Sequence, residues 1–180
     1  MKVSRRNLIA GSLVGALAVP TVAGLARWRW QHGSHTGLVH DDSLAAGRRF
    51  AEAGAAAGRP SRMVEGDTIR FARALVETRP ALIAGVTRYA DALLFGEVAA
   101  EAGYMLAAEL RGDAAGCSGN SCDSSFVGLT RIMVGAGSLW AETFGAFAAN
   151  PQGTMLPIPA ASGLFADRES AMGWLLVPRS

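Results

Sequence analysis

An uncharged stretch from Asn7 through Ala26 constrains this chain more than any other feature. Within it, Leu8–Leu25 is 18 residues without a charge, just enough for a helix to cross a hydrocarbon core. Its Gly residues and Pro20 make it only moderately apolar, as signal segments often are, and the fold is then sought in the residues after it. The 180 residues suit one domain better than two. Charged residues are 18% and apolar residues 50%, which excludes a wholly disordered chain. The net charge is +2, and Lys2, Arg5, Arg6 and Arg27 all precede residue 28. The remainder carries 13 basic and 15 acidic side chains, a balance that excludes a strongly basic nucleic-acid binder.

The segment Ser4-Arg5-Arg6-Asn7-Leu8-Ile9 stands directly ahead of the uncharged run. It resembles the twin-arginine export signal, whose pattern is Ser-Arg-Arg, any residue, then two large apolar residues. Leu8 stands where Phe is commonest in that pattern. The competing reading is an ordinary signal or anchor with two unrelated arginines. The resemblance implies a protein that crosses the cytoplasmic membrane already folded, as cofactor enzymes do, and as do partners that travel with a signal-bearing subunit. It makes Arg5 and Arg6 the export signal and the twin-arginine machinery a partner. It places the chain in the periplasm or on the outer face of the cytoplasmic membrane.

Cleavage and retention both remain open. Thr21-Val22-Ala23 and Gly24-Leu25-Ala26 have small residues at cleavage spacing, though neither is a clean Ala-x-Ala. Arg27-Trp28-Arg29-Trp30 comes next. Trp28 and Trp30 suit a membrane interface, where the indole sits among headgroups and the guanidinium reaches phosphate. The membrane is therefore an expected partner.

Residues 1–30 thus form a signal or anchor, and residues 31–43 read as a polar linker holding all three histidines, His32, His35 and His40. Residues 44–150 read as helical. One helix runs from a cap at Asp41, Asp42 or Ser43 through Ala57, with Phe50 as its anchor, to Gly58-Arg59-Pro60. A second begins near Asp67. A third starts at Pro80 and carries Leu82, Val86, Tyr89, Ala90, Leu93 and Leu94 on one stripe, extending toward Arg111 with kinks allowed at Gly96 or Gly103. A fourth spans Ser124–Ala149 and stops at Asn150-Pro151. No alternation of strand type runs long enough to build a sheet. The expected fold is all-α: a signal or anchor helix, a roughly four-helix bundle, and an extended Pro-containing tail over residues 151–180. That tail holds two apolar runs, Met155–Pro159 and Trp174–Pro178.

An exported chain with two close cysteines, Cys117 and Cys122, invites a disulfide that would pin the link between the two longest helices. A redox dithiol and a pair of metal ligands are the alternatives, against a spacing wider than Cys-x-x-Cys and the lack of nearby His or Cys. His32, His35, His40, Asp41 and Asp42 could bind a metal weakly, or form a solvated tether. Glu97 and Glu101 share a helix face but lack the Glu-x-x-His of di-iron bundles, so no metal site is assigned. Tyr89 and Tyr104 with Arg88 and Asp91 could line a pocket or simply pack helices. No nucleophile elbow, phosphate loop or dinucleotide fingerprint occurs.

Catalytic residues and cofactor are therefore unassigned, and two function classes compete. The first is a non-catalytic accessory subunit that escorts or stabilises a larger protein subunit, such as one of a periplasmic redox complex. The second is a periplasmic enzyme or carrier holding a cofactor non-covalently in its core. A small-molecule binder is a third.

Overall fold

A computed structural model describes residues 35–111, 129, 133, 135–151 and 171–179. These form a five-stranded mixed sheet with helices on both faces. The order along the chain is β1 (Thr36–His40), α1 (Ala45–Ala56), β2 (Arg62–Met63), α2 (Thr68–Val76), β3 (Leu82–Arg88), α3 (Tyr89–Glu101) and β4 (Tyr104–Arg111). A 3₁₀ turn (Gly137–Leu139), α4 (Trp140–Ala149) and β5 (Ala171–Pro178) complete it. Across the sheet the order is β2-β1-β3-β5-β4. The first three strands are parallel, and β5 runs antiparallel between β3 and β4.

The expected all-α helical bundle is therefore wrong: the protein is α/β. The reason lies in how buried central strands read. A strand covered on both faces is a continuous apolar run without alternation, and its residues also satisfy helical spacing. Ala81–Thr87 is buried throughout, so Leu82 and Val86 match the stripe that Leu93 and Leu94 continue in α3. The single long helix from Pro80 is instead β3, α3 and β4. Gly103, at φ +85, turns the chain between the last two. The run Trp174–Pro178 is extended, and it forms part of β5, an internal strand between β3 and β4. Thr36–His40, within the segment read as a linker, is the fully buried β1.

The helix ends reflect local chemistry. Asp67 caps α2, its carboxylate accepting from the amides of Ile69 at 2.9 Å and Arg70 at 3.0 Å. Gly58 closes α1 with φ +82, and its amide donates to the Ala55 carbonyl. The fourth expected helix breaks at Ala136–Leu139, where Gly137 adopts φ +55, before α4 ends at Asn150.

Two cores flank the sheet. On one face α1 and α4 cover Leu38, Leu82, Ala84, Val86 and Leu175, with Phe50 and Phe144 in tilted contact at 5.3 Å. On the other, α2 and α3 cover Val39, Ile83, Trp174 and Leu176. There Trp174 stacks on Phe95 at 4.9 Å and donates its indole N–H to the Thr87 hydroxyl at 3.0 Å. Gly85 faces Trp174 across the ladder, and a Cβ there would lie 2.3 Å from the indole. The wide ring needs that missing side chain.

Candidate functional site

Two places in this architecture gather side chains that could act on a ligand. The first is set by topology. The connection through α1 carries the chain from β1 outward to β2, and the one through α3 leads from β3 the opposite way to β4. Because β1 and β3 are neighbours, their carboxyl ends form the switch point, where open α/β sheets hold ligands. The residues there are Asp41, Ser43 and Arg88. The Arg88 guanidinium reaches the Asp41 carboxylate at 3.4 Å through Nε and donates to the Ser43 hydroxyl at 2.9 Å through Nη2. Ser43 in turn donates its hydroxyl to Asp41 at 2.6 Å and its amide at 2.9 Å. The three groups spend these bonds on one another, so the cluster acts first as a clasp joining the start of α1 to the end of β3. His40, the last residue of β1, has Nδ1 2.8 Å from the Ser61 hydroxyl. Burial pushes its pKa below the usual 6.5, the carboxylates of Asp42 and Asp41 opposing that shift only in part.

The second place is a cleft of about 490 Å³ between α3 and the β4–β5 side of the sheet. Among the described residues, one helix, α3, covers two strands there. Residues Tyr89, Leu93, Gly96, Glu97 and Ala100 recur on α3 at intervals of three and four, and so form one wall. Met172 and Trp174 of β5 with Tyr104, Leu106 and Glu109 of β4 make the floor. The volume falls within the range of about 300–1,000 Å³ typical of small-molecule sites, and the lining is apolar with a few polar groups. Tyr104 is anchored, donating its hydroxyl to the Pro80 carbonyl at 2.7 Å. Its pKa is raised by burial, with the charge of Arg79 opposing. Tyr104 is thus a fixed, neutral part of the floor.

The residues singled out in sequence separate accordingly. Tyr89 and Tyr104 do line one cavity, but Arg88 turns to Asp41 and Ser43, and Asp91 accepts a hydrogen bond from the Thr68 hydroxyl at 2.9 Å. Glu97 lines the cleft, whereas Glu101 is an exposed residue at the end of α3. His35 is exposed and His40 buried, and among the described residues no three His, Cys, Asp or Glu side chains could share a metal. Arg5, Arg6, Trp28, Trp30, His32, Cys117 and Cys122 lie outside the described residues, which contain no disulfide. Among the described residues no helix is long and apolar enough to cross a membrane.

Sequence reasoning misses Trp174, Met172, Leu106 and Glu109 as site residues. Leu106 and Glu109 fall in the stretch toward Arg111 read as a continuation of the third helix, and the β5 residues in the tail, so nothing in the spacing brings them together. The one usable signal is the i, i+4, i+8 row of Tyr89, Leu93 and Glu97, an apolar row ending in a charge. No family model matches the chain, and no similar curated protein or solved structure was found.

Proposed function

We propose that this chain is an exported carrier domain that holds a small molecule non-covalently in the cleft between α3 and the β4–β5 floor. The observation that carries this reading is the cleft itself: ligand-sized, apolar, and bounded by rigid elements of a well-packed sheet. Export rests on Arg5 and Arg6 ahead of the uncharged run, and it accords with a domain that folds before it crosses the membrane. The packing supports folding without any cofactor, since both faces of the sheet already have continuous cores.

A second reading, an accessory subunit that escorts a larger protein, draws on the exposed apolar side chains of α3 at and beside the cleft wall. Tyr89, Leu93 and Leu94 are 46%, 50% and 39% exposed there, three large apolar side chains on a single helix. Native mass spectrometry of the protein isolated from its own membranes separates the two. A retained small molecule, lost when Leu93→Arg puts a charge on the wall, supports the carrier. A stoichiometric larger subunit that cross-links through a photoreactive side chain at Leu94, with no small molecule bound, supports the escort instead. Export is tested by replacing Arg5 and Arg6 together with lysine: the protein then accumulates in the cytoplasm. Unchanged location overturns the twin-arginine reading.

A further inference from the structure

We infer that the cleft takes a zwitterion with an apolar body, the class of apolar α-amino acids, its ammonium toward Glu97 and its carboxylate toward Arg179; this rests on the carrier reading above. The fold brings these two charges to one end of the cleft. Glu97 stands on the α3 wall one helical turn, about 6 Å, before the helix ends at Glu101. Gly103 lies in the turn that follows, and its carbonyl accepts the Arg179 amide at 2.7 Å. Arg179 comes just after Pro178, which pairs with Tyr104 at the start of β4. The guanidinium therefore lines the cleft from the strand side and the carboxylate from the helix side. Both residues are exposed, and among the described residues neither side chain forms an ion pair, with the other or with any third group.

Two opposite charges beside one trough select by repulsion as well as by attraction. A simple carboxylate drawn to Arg179 meets the repulsion of Glu97, and a simple amine drawn to Glu97 meets that of Arg179. A molecule carrying both groups on one carbon satisfies both. The apolar lining strengthens each attraction, because the local dielectric is lower than that of open water. Beyond the charged end, Leu93 stands one turn before Glu97 on the same face of α3, and Leu106 stands two residues after Tyr104 on the same face of β4. These two supply apolar contact for the body of the ligand. The Tyr104 hydroxyl is engaged with the Pro80 carbonyl, so it does not compete for the charged groups. Glu109, the other carboxylate of the lining, lies five residues along β4 from Tyr104, about 15 Å away at the rise of a strand.

The test titrates the full chain calorimetrically with three probes that share a phenyl group: L-phenylalanine, phenethylamine, which lacks the carboxylate, and 3-phenylpropionate, which lacks the ammonium. L-phenylalanine is expected to bind about fivefold tighter than either, the upper end of what one exposed ion pair contributes. Arg179→Gln is expected to bring L-phenylalanine down to the level of phenethylamine without weakening phenethylamine itself. Glu97→Gln is expected to bring it down to the level of 3-phenylpropionate in the same way. Gly96→Phe serves as the block: Gly96 lines the cleft and a Cβ there meets nothing within 4 Å, so the ring fills the trough and all three probes should weaken. Three equal affinities, indifferent to Arg179→Gln and Glu97→Gln but lost in Gly96→Phe, would overturn the zwitterion assignment and leave the carrier reading standing. A preference for either singly charged probe would do the same. Binding that ignores Gly96→Phe, or no binding of any probe, would overturn the assignment alone; the carrier reading falls separately, if native mass spectrometry finds no retained small molecule.

Discussion

The two faces of the sheet are built from similar residues yet closed to different degrees. On the α1–α4 face the helices approach until backbone meets backbone: a Cβ on Gly145 would sit 2.3 Å from the Phe50 carbonyl oxygen and 3.2 Å from Ala53 Cβ. Eight residues of the ten in α4 are buried, and the core beneath includes Trp140, Phe144 and Phe147. On the other face α2 and α3 cover the parallel half well, but past α3 the floor of β4 and β5 has no second helix among the described residues. Small residues thus do opposite things on the two sides. Gly145 brings two helices together, whereas among the described residues Gly96 and Ala100 on α3 meet no helix and line the cleft. Helix packing seals a face only where a second helix is there to use the small residues.

The strongest test of the sealed face is Phe144→Ala. Phe144 is fully buried and packs on Phe50, so truncation leaves a cavity between two helices and a sheet, none of which can collapse freely. The expected loss is about 3–5 kcal/mol, read as a shift in the urea unfolding midpoint. A loss under about 1 kcal/mol would mean that this face is as loosely closed as the other.

The same contrast explains which parts of the protein are legible in its sequence. Capped amphipathic helices announce themselves, and Asp67 with Ile69, Ala72, Leu75 and Val76 after it is α2 as built. Strands buried on both faces do not. Ala81–Thr87 and Ala171–Val177 show no alternation because neither side of those strands meets water. Their membership in a sheet depends on β1, β3 and β5 meeting from positions far apart in the chain, which no local window records. The cleft inherits that blindness. Its helical wall is visible as a row on α3, but its floor comes from strands that read as a helix and a tail.

A smaller effect is expected at the rim of the sealed face, where His40 shares the strand side of Leu38. Its pKa is lowered by burial, so in the folded protein it gives up its proton below the usual 6.5. Between that lowered value and 6.5 the unfolded chain binds a proton that the folded chain does not. Stability is therefore full above about pH 6.5 and falls as the pH drops through that window. Urea midpoints measured at intervals from about pH 7.5 to 5.5 should show the decline, and His40→Gln should flatten it. An unchanged slope in that variant would mean that His40 stays solvated enough to titrate freely, and that the sealed face ends short of it.

The smallest effect belongs to the open face. Leu93 is 50% exposed on the wall of the cleft, so Leu93→Gln removes little buried surface and keeps a residue of comparable helix propensity. The midpoint should move by no more than about 0.5 kcal/mol, as at an ordinary surface position. If the loss instead approaches about 2 kcal/mol in the isolated full chain, Leu93 is covered in solution by something beyond α3 and the strands. The two faces would then be equally sealed, and a trough open to small molecules would no longer result from the packing. A shift within the expected limit, set beside the large loss for Phe144→Ala, would show that the wall at Leu93 stays open while the α1–α4 face is sealed.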